Sequence, residues 1–369
     1  MAKIWWAGVH AVSGYGAVAT ALTEHDVPPP DRIVAVGKAA PAMAHAALDH
    51  FKAPIRTLVV TRYGHAKGVE LPAHARVLEA AHPVPDQNSL KAGGALLAEI
   101  SGAGAEENLL FLASGGASAL AEVPADGRTL GEVVAHNKRL LASGLDIHAM
   151  NAERREVSQI KGGQLLARFP GRAVTSFAIS DVEGDDLNVI GSGIGACAGD
   201  PRFVWQSFIV ASNTHARAAA EAEARRIGFA VLGNSEALYG DVGYVALRLS
   251  GQLGAGEAGI RIWGGEPTVV LPSNPGMGGR NQGMALLLAR QIAGRDGLSV
   301  LVAGTDGTDG PTDAAGAFVN GTSWDPAPAQ AALQAADSGT YFAARGDLFE
   351  TGPTGTNVMD LAISLSRSR

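Results

Sequence analysis

The feature that most constrains this chain is a repeated grammar. A short apolar run without polar alternation is followed by a loop of glycine and polar residues, and often by a helix-length stretch rich in Ala and Leu. Arg32–Val36 ends in Gly37-Lys38, Leu58–Val60 in Thr61-Arg62-Tyr63-Gly64, and Val77–Ala81 in His82-Pro83-Val84-Pro85-Asp86. The run after Asn108 ends in Ser114-Gly115-Gly116-Ala117-Ser118, Phe177–Ile179 in Ser180 to Asp186, and Val300–Ala303 in Gly304 to Gly310. Runs of this length lacking alternation are buried on both faces. The stretches Ala39–Phe51, Ser89–Ile100, Leu130–Ser143, Ser158–Phe169, Asn213–Ile227 and Gln282–Ala293 have helical length and composition. The alternation predicts an α/β fold with a mostly parallel sheet, with ligands outside the carboxyl ends of the strands, where the loops collect.

A chain of 369 residues is long for one core, so two domains are expected. The pattern loosens from Gly228 to Gly264, which puts the boundary near residue 255, with a larger domain at 1–255, a smaller one at 256–369 and a ligand cleft between them. A formal charge of -7 with no basic block argues against a general nucleic-acid binder, so anionic ligands must be captured locally. The single cysteine, Cys197, excludes an intrachain disulfide and a cysteine-cluster metal site. No apolar run reaches membrane length, and the cytoplasm is the expected location.

Ser114-Gly115-Gly116-Ala117-Ser118, between an apolar strand and a helix start, has the layout of a phosphate cradle. Glycines admit backbone amides to an oxyanion, and the serines add hydroxyl donors. An ordinary βα turn would read the same way. Lys38 at a helix opening reaches phosphate oxygens or is a solvated helix-start lysine, and no Walker spacing Gly-x-x-x-x-Gly-Lys-Ser/Thr occurs. Asp181, Asp185, Asp186, Asp306, Asp309 and Asp313 lie in loops after strands. There, one or two carboxylates could hold Mg²⁺ with substrate phosphates, and at least half are expected only to cap helices or turns. Arg154, Arg155 and Lys161 are further cations, and the glycines before Arg280 favour a functional reading for it. His82, beside Pro83 and Pro85, reads as a structural loop histidine.

Eight words in order span nearly the whole chain: Val36 to Ala40, His82 to Asp86, Ser114 to Leu120, Ile160 to Gly163, Ser180 to Asp186, Gly264 to Val269, Gly278 to Gln282 and Gly304 to Gly310. On these words the chain resembles the glycerate 2-kinase family. The resemblance implies an N-terminal Rossmann-like domain and a smaller C-terminal α/β domain with a mixed sheet. It implies ATP- and Mg²⁺-dependent phosphorylation of D-glycerate at its 2-hydroxyl, giving 2-phosphoglycerate, in the cleft between them. On it Lys38, Arg280 and Asp181 are the catalytic candidates. Ser114, Gly115, Gly116, Ser118, Arg154, Lys161, Glu266 and Asn281 are the substrate and phosphate contacts, and Asp181, Asp185, Asp306 and Asp309 the metal candidates. The expected partners are ATP and a small-molecule substrate, with no nucleic acid or membrane, and the expected state is a monomer or homodimer. The loop Ser273 to Met277 lacks an arginine that relatives tend to carry, which keeps a different small hydroxy acid open as acceptor. An NAD(P)-dependent hydroxypyruvate reductase is the alternative, against which stands the lack of Gly-x-Gly-x-x-Gly after the first strand. A non-catalytic sensor of a phosphorylated metabolite is the third reading.

Overall fold

A computed structural model describes residues 1–125, 127–142, 147–253 and 257–367. The chain forms two compact units, Val12–Ser212 and a second made of Met1–Ala11 with Asn213–Arg369.

In the first unit, six strands build a parallel sheet in the order β3-β2-β1-β4-β5-β6: β1 (Arg32–Val36), β2 (Arg56–Arg62), β3 (Arg76–Ala80), β4 (Asn108–Ala113), β5 (Ala173–Ile179) and β6 (Val204–Ala211). This is the order of doubly wound sheets, with the winding reversing between β1 and β4. Ile33, Val34, Ala35 and Val36 of β1, and Leu110, Phe111 and Leu112 of β4, are wholly buried, as expected of central strands covered on both faces. The sheet's two ends differ in chemistry. At its amino end the buried Arg32 binds Glu99 (Nη1 to Oε1, 2.6 Å) and Glu107, a network that serves the fold, whereas glycine turns at Gly37, Gly64 and Gly116 gather at the carboxyl end.

The helices of this unit are α2 (Gly14–Glu24), α3 (Ala40–Phe51), α4 (Gln87–Ser101), α5 (Ala117–Leu120), α6 (Leu130–Ala142) and α7 (Ile147–Glu156); α1 belongs to the second unit. Asp86 caps α4 through the amides of Asn88 and Ser89, with Ser89 Oγ accepting from the Asp86 amide in return. Two expectations are corrected. Ser158–Phe169 is not a helix but a series of turns closing in a 3₁₀ turn at Leu166–Arg168, because Gly162 and Gly163 take φ of 60° and 82°. The helix after the glycine turn is the single-turn α5, so its dipole adds little to anion binding. Ser143, the last residue of another expected helix, lies outside the described residues.

In the second unit α1 (Ala2–Ala11) packs on α8 (Asn213–Arg226), so closely that a Cβ on Gly8 would lie 2.8 Å from the Ala216 carbonyl. The mixed sheet runs β13-β12-β11-β14-β9-β7: β7 (Val231–Glu236), β9 (Gly259–Gly265), β11 (Leu298–Gly304), β12 (Gly316–Asn320), β13 (Leu348–Phe349) and β14 (Asp360–Ser366). A two-stranded piece pairs β8 (Gly240–Asp241) with β10 (Pro267–Thr268). The helices α9 (Val242–Gln252), α10 (Arg280–Ile292), α11 (Pro326–Ala335) and α12 (Ser338–Arg345) share an apolar core built on Met284, Leu288, Val300 and Phe342. The expected boundary near residue 255 falls outside the described residues, and the compact units divide between Ser212 and Asn213. The reason is strand pairing: β7 lies parallel to β9, which binds the glycine-rich segment 228–253 into the mixed sheet.

Candidate functional site

In the first unit the groups converge at the switch between β1 and β4. Gly37 follows β1 at φ 131°, and a Cβ there would lie 2.1 Å from Ser114 Oγ, so only glycine lets the two loops touch. The Lys38 amide donates to the Gly115 carbonyl (2.9 Å), and Ser114 Oγ accepts from the Ala39 amide (3.1 Å). These bonds stitch the Lys38 turn to the Ser114–Gly116 turn. Gly116 takes φ 85°, and a Cβ on it would meet the His82 ring at 3.0 Å and Lys38 Cγ at 3.2 Å. A Cβ on Gly115 would lie 2.2 Å from Asp181 Oδ2. Lys38, His82, Asp181 and the glycine turn therefore form one cluster. Burial pushes the Asp181 carboxyl up, with Lys38 opposing the shift.

The other predicted groups of this unit have different occupations. Ser114 is buried and holds the turn, while Ser118 Oγ lies 2.9 Å from Ser192 Oγ. Lys161 is only 1% exposed and pairs with the fully buried Glu122 (Nζ to Oε2, 2.5 Å), whose second oxygen takes the Ser158 hydroxyl at 2.6 Å. Lys161 is thus spent on a buried pair rather than offered to a ligand. Arg154 sits on α7, binds Asn151 Oδ1 (3.2 Å), and burial pushes its pKa down. Asp185 takes φ 54°, and Asp186 accepts from the Asn188 amide at 2.8 Å.

The second unit gathers a cluster at one end of its mixed sheet. Register places Asp360, the first residue of β14, opposite Gly265 of β9 and Gly304 of β11, so that Glu266 and the loop from Thr305 to Asp309 leave the sheet beside it. Arg280 opens α10 and grips Asp360 with two bonds, Nε to Oδ2 at 2.7 Å and Nη2 to Oδ1 at 3.2 Å, while Nη1 meets Glu266 Oε1 at 2.7 Å. Asp360 is 1% exposed and the Arg280 side chain 33%, so an interior carboxylate aims a guanidinium that solvent still reaches. Burial works against the Arg280 charge, but Asp360 and Glu266 outweigh it and the guanidinium is held still more firmly protonated. Asn281 is buried, and its Nδ2 bridges Asp309 Oδ1 (3.3 Å) and Asp360 Oδ1 (3.0 Å), which makes it a brace between two carboxylates.

Asp309 caps α10: Oδ1 accepts from the Asn281 amide at 3.0 Å and Oδ2 from the Gln282 amide at 2.8 Å. Burial pushes its carboxyl up to about 7, with Asp360 adding to the rise and the two amides opposing it. Asp306 closes its own turn on the Thr308 amide and hydroxyl. The four metal candidates are divided between the two units, and among the described residues no group of three or more His, Cys, Asp or Glu is placed to hold an ion. Both Asp309 oxygens already accept amide hydrogens from the start of α10. Asp181 does fit as a single carboxylate for an ion whose shell substrate phosphates complete.

Two members of these clusters are ones the sequence reading missed or set aside. Asp360 carries a signal, a lone acid opening an otherwise uncharged strand, and the structure adds strain beside it at Met359, with φ of 67°. His82 stands in one of the eight words, but its place beside Lys38 and Gly116 is not written there, since both are distant in sequence.

A family model described as a domain of unknown function (DUF4147) matches residues 1–226, and the MOFRL family model matches residues 259–360. A D-glycerate 2-kinase of Thermotoga maritima is 36% identical, with 90% of each chain covered. A putative hydroxypyruvate reductase of Agrobacterium vitis is 37% identical, covering 89% of this chain and 85% of its own. The crystal structure of a glycerate kinase from Thermotoga maritima superposes with a TM-score of 0.88 at 32% identity, covering 99% of this chain and 98% of that one. No helix among the described residues is long and apolar enough to cross a membrane. With the eight sequence words, both sheets and the full-length relatives in agreement, the chain belongs to the glycerate 2-kinase family of kinases.

Proposed function

We propose that the protein transfers the terminal phosphoryl group of ATP to the 2-hydroxyl of D-glycerate, giving 2-phosphoglycerate. In this reading it acts in the cytoplasm as a monomer or homodimer. The observation that carries the reading is Arg280, a partly exposed guanidinium aimed by the buried Asp360 in a chain whose full-length relatives include glycerate kinases. Phosphoryl transfer needs positioning and charge neutralisation more than covalent help from the protein. Lys38, tied at its backbone to Gly115, supplies one cation to the transferred group and Arg280 the other. Asp181 orients the acceptor hydroxyl and is the carboxylate that would hold Mg²⁺ together with substrate phosphates. Bound Mg²⁺ would neutralise phosphate charge.

The reading is tested by incubating the protein with ATP, Mg²⁺ and D-glycerate and resolving the phosphoglycerates by ³¹P NMR. Formation of 2-phosphoglycerate is expected. Arg280→Lys keeps the charge but loses the two-bond grip on Asp360, and kcat should fall at least about 10²-fold. NADH oxidation with hydroxypyruvate and no phosphorylated product would overturn the proposal in favour of the reductase name carried by some relatives.

A further inference from the structure

We propose that His82, Arg62 and His65 join Lys38 in an oxyanion subsite at the carboxyl ends of β1, β2, β3 and β4, and that this subsite binds a phosphate group. Lys38 follows β1, Arg62 closes β2, His82 lies two residues past β3, and the Gly115–Gly116 turn follows β4. Because these four strands are consecutive neighbours in the sheet, basic groups from three separate stretches of chain and the glycine turn from a fourth gather at the carboxyl ends of the strands.

The glycine turn is shaped around them. A Cβ on Gly116 would stand 3.0 Å from His82 Cδ2, 3.2 Å from His82 Nε2 and 3.2 Å from Lys38 Cγ, so the imidazole and the lysine stem both rest against the turn. His65 Nδ1 lies 3.3 Å from the Lys38 carbonyl and donates to it, so His65 is held beside Lys38 as well. Two nearby carboxylates are engaged elsewhere: Asp86 takes the Tyr63 hydroxyl and caps α4, and Glu79 takes the Gly64 amide, while Asp181 stands against Gly115 as the one acid of the Lys38 cluster. Burial, then Lys38, Arg62 and His65, push the His82 imidazole down to about 4, which makes it a neutral group among cations. A phosphate entering there takes donors from Lys38 and Arg62, and it supplies the negative charge that lets His82 and His65 accept protons from solvent and donate in turn.

The subsite deepens the kinase reading by assigning residues to the phosphate, and its test is independent of turnover. Inorganic phosphate is titrated into the full chain and into His82→Asn and Arg62→Gln by calorimetry, with ¹³C-labelled histidines followed by NMR. Each substitution should weaken phosphate binding at least about tenfold, and the resonance missing in His82→Asn should move when phosphate is added to the unsubstituted protein. Arg62 is exposed, so Arg62→Gln keeps the test valid if the histidine variant does not fold. Displacement of phosphate by ADP alone would place the nucleotide in the subsite, and displacement by 2-phosphoglycerate alone the product. Phosphate affinity within twofold of the original in both variants overturns the subsite, even if both still form product. Phosphate bound through His82 in a protein that forms no phosphoglycerate upholds the subsite and refutes the kinase reading instead.

Discussion

Asp309 offers a prediction whose size follows from the geometry. Its carboxylate caps α10 with both oxygens, yet it is 3% exposed and sits near Asp360, and its pKa is pushed up from 3.8 to about 7. In the unfolded chain the group ionises near its ordinary value, so between pH 4 and 7 the unfolded state binds fewer protons than the folded one. The linkage slope is then negative, and this residue's contribution to stability falls as pH rises. A shift of about three units corresponds to roughly 4 kcal/mol, absent below pH 4 and fully felt above pH 7. Asp309→Asn removes the titration, at a cost of about 1–3 kcal/mol for the amide left facing a second donor. Urea unfolding of both proteins at half-unit steps from pH 4 to 8 should show the advantage of the native residue shrinking, by up to about 1.4 kcal/mol per pH unit, until it plateaus above pH 7. A stability difference that stays flat across that range would refute the reasoning.

Two further substitutions probe the scaffold. Lys161→Met strands Glu122 in the core and should cost about 3–5 kcal/mol in a urea melt, whereas the pair Lys161→Met with Glu122→Leu should recover most of that loss. Gly37→Ala adds a Cβ 2.1 Å from Ser114 Oγ and 2.5 Å from the Ser114 carbonyl oxygen, at a φ of 131°; it should cost about 2–5 kcal/mol, read as a lowered Tm, with the Lys38 turn displaced and kcat reduced.

The sequence alone determined the elements that local chemistry dictates. Runs such as Arg32–Val36 and Asn108–Ala113 are too apolar and too short to be anything but buried strands, and Gly37, Gly116 and the glycines before Arg280 marked where backbones approach closely. Lys38, Asp181 and Arg280 were legible because each sits in a distinctive word of its own. Tertiary structure decided which polar groups were spent. Lys161 looks like an available cation until Glu122, distant along the chain, is found beside it, and the capping of α10 by both Asp309 oxygens is written nowhere in the loop that carries Asp309. It also decided the boundary, since the pairing of β7 with β9 links residues that no local pattern joins. The place of His82 beside Lys38 and the grip of Asp360 on Arg280 became visible only through strand order and register. Charge and burial at a side chain depend on neighbours in space, and in a sheet those neighbours come from strands far apart in sequence.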